Sequence, residues 1–186
     1  MNFKITAYGH PLLRKISEDI DKNYPDLKEL IEEMFKTMED SSGIGLAAPQ
    51  IGKSISLFIV NSTIDENNKN KIKKSFINPE IIETFGKDYA FEEGCLSLPG
   101  IRENVVRKEK VTINYLDENF KEHEETFDGI NARVILHEYD HLEGILFTDR
   151  LSSLKRKMLS RQLKNIKIGN VDVDYPMDFY TKGKGI

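Results

Sequence analysis

The stretch HEYDHLEGILF at 137–147 constrains this chain more than any other. Positions four apart on a helix share one face, so His137 and His141 can turn imidazole nitrogens toward a single ion. Glu138 lies beside the first of them and can reach a water on that ion without binding the ion itself. The same helix carries apolar residues at Val134, Ile135 and Leu142, with Tyr139 among them. A His–Glu–His cluster buried in such company, with nothing to coordinate, would be costly. The pattern predicts a central helix, begun at Asp128 or Gly129 and ended by Gly144, that carries a metal site.

The remaining segments supply its surroundings. Asp26, after Pro25, is placed to cap a helix running to about Asp40, with Leu27, Leu30, Ile31, Met34, Phe35 and Met38 on one stripe. SSGIGLAAPQIG at 41–52 bears glycines among unusually small residues, ISLFIVN at 55–61 reads as a buried strand, and 62–74 reads as a polar surface loop. Residues 75–127 look β-rich, with a hairpin over 111–127 turning near Asp117–Asn119. A last helix spans about 152–166, with Leu154, Met158, Leu159, Leu163 and Ile166 as its expected apolar side. Without a regular βαβ alternation the fold class is α+β: small mixed or antiparallel sheets packed around the HExxH-bearing helix, flanked by an N-terminal and a C-terminal helix. The expectation is one catalytic domain over 1–186, with a short irregular tail from about 170.

Composition excludes several classes. A net charge of −4 argues against a chain that binds nucleic acid over its whole surface, and no apolar run is long enough to span a bilayer. The start, MNFKITAYGHPLLRK, reads neither as a secretory signal nor as a transit segment. A single cysteine, Cys95, allows no internal disulfide, and the expected location is cytoplasmic.

A catalytic ion needs a third protein ligand and one open position. The extended protease pattern would place a histidine where Phe147 stands, and no glutamate follows Glu143. Asp149, Asp172, Asp174 and Asp178 remain as candidates, while His10 and His123 are isolated. Cys95, in the glycine-punctuated EEGCLSLPG at 92–100, is the strongest. A lone buried cysteine is ordinarily a small core hydrophobe, but two histidines lacking a partner favour a ligand.

Three segments in order, GIGLAAPQ at 43–50, EGCLS at 93–97 and HEYDH at 137–141, resemble the motifs of peptide deformylases, and the resemblance runs from roughly residue 5 to 165. It implies a hydrolase that removes the formyl group from the N-terminal methionine of new polypeptides and releases formate. It carries metal ligation to Cys95, His137 and His141, proton transfer to Glu138, and oxyanion donors to the Gln50 amide and the Leu96 backbone N–H. Gly43, Ile44 and Gly45 would take the peptide as an added strand, with Gly94 beside it. Ile130, Arg133 and Val134 would wall the methionine pocket, Arg133 with only its stem against the ligand. The glycines also admit a plainer reading, a tight turn with positive φ. The resemblance further implies one divalent ion, ferrous iron in the cell, with zinc, nickel or cobalt able to occupy the same ligands.

Further expectations follow from charge. Asp140 would pair with Arg107, Arg102 would meet the peptide or solvent, and Glu93 would orient the cysteine loop or a histidine N–H. The last helix holds Lys155, Arg156, Lys157, Arg161, Lys164 and Lys167 and no acid, which makes ribosomal RNA a candidate partner and a solvated face the alternative. Two rival functions remain: another HExxH metallopeptidase, or a non-catalytic metal-binding module associated with the ribosome.

Overall fold

In the computed structural model, which describes residues 3–63 and 70–180, hydrophobic periodicity resolves into ten elements. In chain order they are β1 (Ile5–Thr6), α1 (Leu27–Asp40), β2 (Gly45–Ala47), β3 (Leu57–Asn61), β4 (Lys73–Gly94), β5 (Arg102–Leu116), β6 (Glu122–Asp128), α2 (Gly129–Leu142), α3 (Ser153–Lys167) and β7 (Met177–Asp178). The sheet is antiparallel and five-stranded, ordered β2-β3-β4-β5-β6, and a separate parallel pair joins β1 to β7.

Strand β3 is buried throughout because both faces of the sheet are covered there. Its alternate residues serve two cores. Phe58 and Val60 join Phe76, Val111, Ile113 and Phe127 under Ala132, Ile135 and Leu136 of α2. Leu57 and Ile59 join Ile31, Met34 and Met38 of α1 on the other face. The Phe58 and Phe76 rings stack at 4.6 Å; full burial of one such side chain stabilises by about 1.5–3 kcal/mol. The apolar stripe expected on α1 is the buried one. Asp26 occupies its N-cap, but in a left-handed conformation (φ 52°) with no side-chain cap bond, so it contributes its carbonyl to Leu30 N–H instead.

Strands β4 and β5 pair from Ile77↔Leu116 to Gly94↔Arg102, with register shifts between Ile77 and Glu80, Ile81 and Glu83, and Phe85 and Asp88. Strand β6 pairs only with Lys110–Leu116, so the outer half of the ribbon, Asp88–Gly94 against Arg102–Lys108, runs on alone. Bulges of this kind bend a ribbon, and the tip at 95–101 returns over α2.

Two expectations need correction. Leu154 and Met158 are 69 % and 75 % exposed, and only Leu159, Leu163 and Ile166 of α3 are buried. The expected loop at 62–74 ends earlier, since Lys73 and Lys74 already belong to β4; its residues 64–69 lie outside those described. The tail from about 170 is irregular apart from β7. From Val171 to Tyr180 it alternates half-buried and exposed, and β7 lies beside β1 through Ile5 N–H to Pro176 and Ala7 N–H to Asp178.

Candidate metal centre

Helix α2 is nearly all buried, and its C-terminus is held by Gly144 at φ 69°. Gly144 N–H donates to His141 and Ile145 N–H to Asp140, the Schellman arrangement that satisfies the last carbonyls. A Cβ on Gly144 would also stand 2.8 Å from the Arg14 backbone. Four residues apart, the His137 and His141 rings lie 5.2 Å apart by centroid. Phe147, where a third histidine would stand in the protease pattern, is buried and stacks on His137 at 6.0 Å. Asp149 is turned to Arg14 and to Leu146 N–H, and His10 and His123 sit in unrelated contacts.

The ribbon tip brings the sulfur. Cys95 Sγ lies 3.3 Å from His141 Nε2, and ligand atoms of Cys95, His137 and His141 fall within 4.8 Å of one another. Ligands around one tetrahedral ion stand roughly 3.3–3.8 Å apart, so the set fits a single small cation. The Gln50 side chain is buried: its Oε1 accepts from Ala47 N–H at 2.8 Å, and its Nε2 reaches Cys95 Sγ and Ser97 Oγ, each at 3.4 Å. The Leu96 N–H has no acceptor among the described residues.

Glu93 is the hub behind the site. Its Oε1 accepts from Arg107 Nε at 2.7 Å and Arg133 at 2.9 Å; its Oε2 accepts from Arg107 at 2.9 Å and faces His137 Nδ1 at 2.9 Å. That contact leaves Nε2 of His137 for an ion. The expected Arg107–Asp140 pair exists at 2.7 Å, but it is buried, and Arg150 closes on the same Asp140 carboxylate. Arg102 is exposed, 4.0 Å from Glu92.

Charge follows geometry. Burial would raise the Glu93 carboxyl, but Arg107 and His137 outweigh it and hold it far below its usual range. Burial pushes Glu138 up to about 7, and its Oε2 has no partner among the described residues. Burial would lower His137, yet Cys95 and Glu93 hold it well above its ordinary value; burial and the His137 charge push His141 well below. A thiol and two imidazoles forced together compete for protons that a cation would displace.

A cavity of about 660 Å³ opens onto this cluster. Gly43, Ile44, Gly45, Gln50, Gly94, Leu96, Ile130, Arg133, Val134 and Glu138 all line it. Neither Gly43 nor Gly45 has a positive φ, so the tight-turn reading falls. A Cβ on Gly45 would stand 2.4 Å from Glu138 Oε1 and 2.7 Å from Val134 Cγ1, so its bare backbone makes room for the carboxylate. The Arg133 guanidinium is buried over the Tyr89 ring at 4.6 Å and donates to Glu93 and to the Val105 and Tyr89 carbonyls. Sequence reasoning missed the tail: Asp172, Val173, Asp174 and Tyr175 form part of the cavity wall. The alternation in VDVDYPMDFY was the signal for it.

Comparisons with known proteins identify a family. The family model described as polypeptide deformylase matches residues 2–157. The peptide deformylase of Christiangramia forsetii is 49 % identical, the match covering 96 % of either chain. That of Cytophaga hutchinsonii is 45 % identical over 98 % of this chain and all of its own. The crystal structure of a Legionella pneumophila peptide deformylase superposes with a TM-score of 0.81 at 42 % identity, covering 91 % of this chain and 98 % of that one. A plant peptide deformylase gives 0.83 at 32 %, covering 93 % and 96 %.

Proposed function

This chain belongs to the peptide deformylase family, and on that footing we propose which residues perform the reaction and where. The family is metal-dependent, and its members are enzymes that take the formyl group off the N-terminal methionine of newly made polypeptides. Cys95, His137 and His141 hold one divalent ion, with Glu93 fixing the His137 ring from behind. When bound, the ion would supply Lewis-acid activation of water and of the formyl oxygen. Sulfur and imidazole suit iron(II) and zinc alike; we assign iron(II) in the cell, with zinc, nickel or cobalt able to replace it.

Glu138 is the proton carrier. Its unpaired, buried oxygen faces no competing donor, and a carboxyl near neutrality can accept a proton from the attacking water and return it to the departing amine. Water adds to the formyl carbon, the C–N bond breaks, and formate and a free amine result. The Gln50 amide and the Leu96 N–H meet the oxygen on which charge develops. Strand β2 is an edge of its sheet, so the peptide can lie along Gly43–Gly45. Ile130 and Val134 receive the methionine side chain, with Arg133 contributing wall rather than charge because Glu93 neutralises its head.

The observation that carries these roles is the convergence of three ligand atoms within 4.8 Å beside an unpartnered carboxylate. The test is primary-amine release from formyl-Met-Ala-Ser under anaerobic iron loading. Glu138→Ala should abolish release and keep the metal; full activity in that variant would remove Glu138 from its role.

We place the chain as one catalytic domain in the cytoplasm; no helix among the described residues is long and apolar enough to cross a membrane. The basic face of α3 serves as a ribosome contact. Arg156, Lys157, Arg161, Lys164 and Lys167 are exposed there beside Leu154 and Met158. Unchanged ribosome pelleting after those charges are neutralised would remove this assignment.

A further inference from the structure

The segment 95–97 carries both the sulfur and the Leu96 N–H, so its orientation matters twice. Its three carbonyls are each held, by different parts of the chain. Cys95 C=O accepts from Leu98 N–H at 2.9 Å, within the loop. Ser97 C=O accepts from Tyr8 N–H at 2.9 Å, just after β1. Leu96 C=O accepts from the Tyr175 hydroxyl at 2.9 Å, a side chain of the tail. The pairing of β1 with β7 brings the last two anchors together, and Tyr175 lies two positions before β7. The family match ends at residue 157, so this anchor lies outside the matched span.

We infer that Tyr175 is a positioning residue for deformylation: through the Leu96 carbonyl it fixes the second peptide plane of Leu96, and so braces, across the Leu96 Cα, the first plane, which carries the Leu96 N–H. The first plane is already pinned by Leu98. With both planes held, the backbone at Leu96 is braced on either side of its Cα, which is the preorganisation that an oxyanion donor needs. Without the hydroxyl, ψ at Leu96 is free to relax. Ring packing is separate from this role, since Tyr175 also rests on the cluster formed by α1 and β3. The inference depends on the reading that the Leu96 N–H meets the developing oxyanion.

Tyr175→Phe in the full, metal-loaded chain tests it, because it removes the hydroxyl and keeps the ring. The expected result is about a fivefold fall in kcat, the size of one neutral hydrogen bond transmitted to the transition state, with KM changed less than about twofold. Amide hydrogen exchange over 95–97 should quicken while ion stoichiometry and melting temperature hold. Unchanged kcat overturns the inference, whatever the exchange shows. So does a kcat loss that disappears when activity is expressed per folded, metal-loaded molecule, or a rise in KM alone. Gln50→Ala in parallel separates the two readings: full activity there sinks the oxyanion reading, whereas an impaired Gln50→Ala with a normal Tyr175→Phe sinks only the role of the tail.

Discussion

Replacing Gly45 by alanine probes the site at its tightest point. The added methyl carbon would lie 2.4 Å from Glu138 Oε1, 2.7 Å from Val134 Cγ1 and 2.8 Å from Glu138 Cγ. Ordinary contact begins at 3.4 Å, so the carboxylate must retreat by about 1 Å. Both neighbours sit on α2, which is packed against the sheet and cannot withdraw as a body. The strain should cost about 1–3 kcal/mol of stability, the range for overpacking a filled interior. Activity should suffer more, because a displacement of about 1 Å at a proton-transferring group costs on the order of a hundredfold. The measurements are kcat on formyl-Met-Ala-Ser, metal content and the midpoint of urea unfolding. A stable, metal-replete variant with kcat within about threefold of wild type would refute the reasoning, since Glu138 could then not be held where Gly45 admits it.

Two further outcomes follow from the ion pairs. Glu93→Ala leaves the Arg107 and Arg133 heads without their carboxylate and should destabilise by about 3–5 kcal/mol, with metal affinity lower by about 10- to 100-fold once His137 loses its acceptor; an unchanged urea midpoint and metal titration would contradict the hub assigned to Glu93. Asp149 tests acid sensitivity: burial would raise its carboxyl, but Arg14 and Leu146 N–H outweigh that and hold it below 3.8. A folded value below the unfolded one gives stability that is present above pH 3.8 and lost as pH falls from there through the lower folded value, so Asp149→Asn should flatten the acid limb of the melting temperature, and an identical limb would remove this group from the acid response.

How much of this was legible in the sequence depends on how local the governing physics is. His137, Glu138 and His141 could be read because helical spacing alone brings them together. Cys95 could be read because two imidazoles lacked a partner. In α3 the apolar residues are spread too widely for one face. At 100° per residue Leu159, Leu163 and Ile166 fall within about 60° of one another, whereas Leu154 and Met158 lie about 80–180° away, and tertiary contact chose the first group. The β4–β5 ribbon showed only as β-rich sequence, since three register shifts break its alternation. The Glu93 hub needs partners from β5 and α2, 14 to 44 residues away, which no local pattern announces. The alternation of the tail went unread because its strand partner β1 is only two residues long.

The sulfur rides on a hairpin tip and the imidazoles on a helix, 46 residues apart at the wider pair. A cation held by both is therefore a cross-link, closing a loop as a disulfide would in a chain that has one cysteine and no thiol to spare. By chain entropy such a closure is worth about 4 kcal/mol. Chelation should consequently lower resistance to unfolding as well as turnover, because an ion held there would rivet ribbon to helix as well as serve the chemistry.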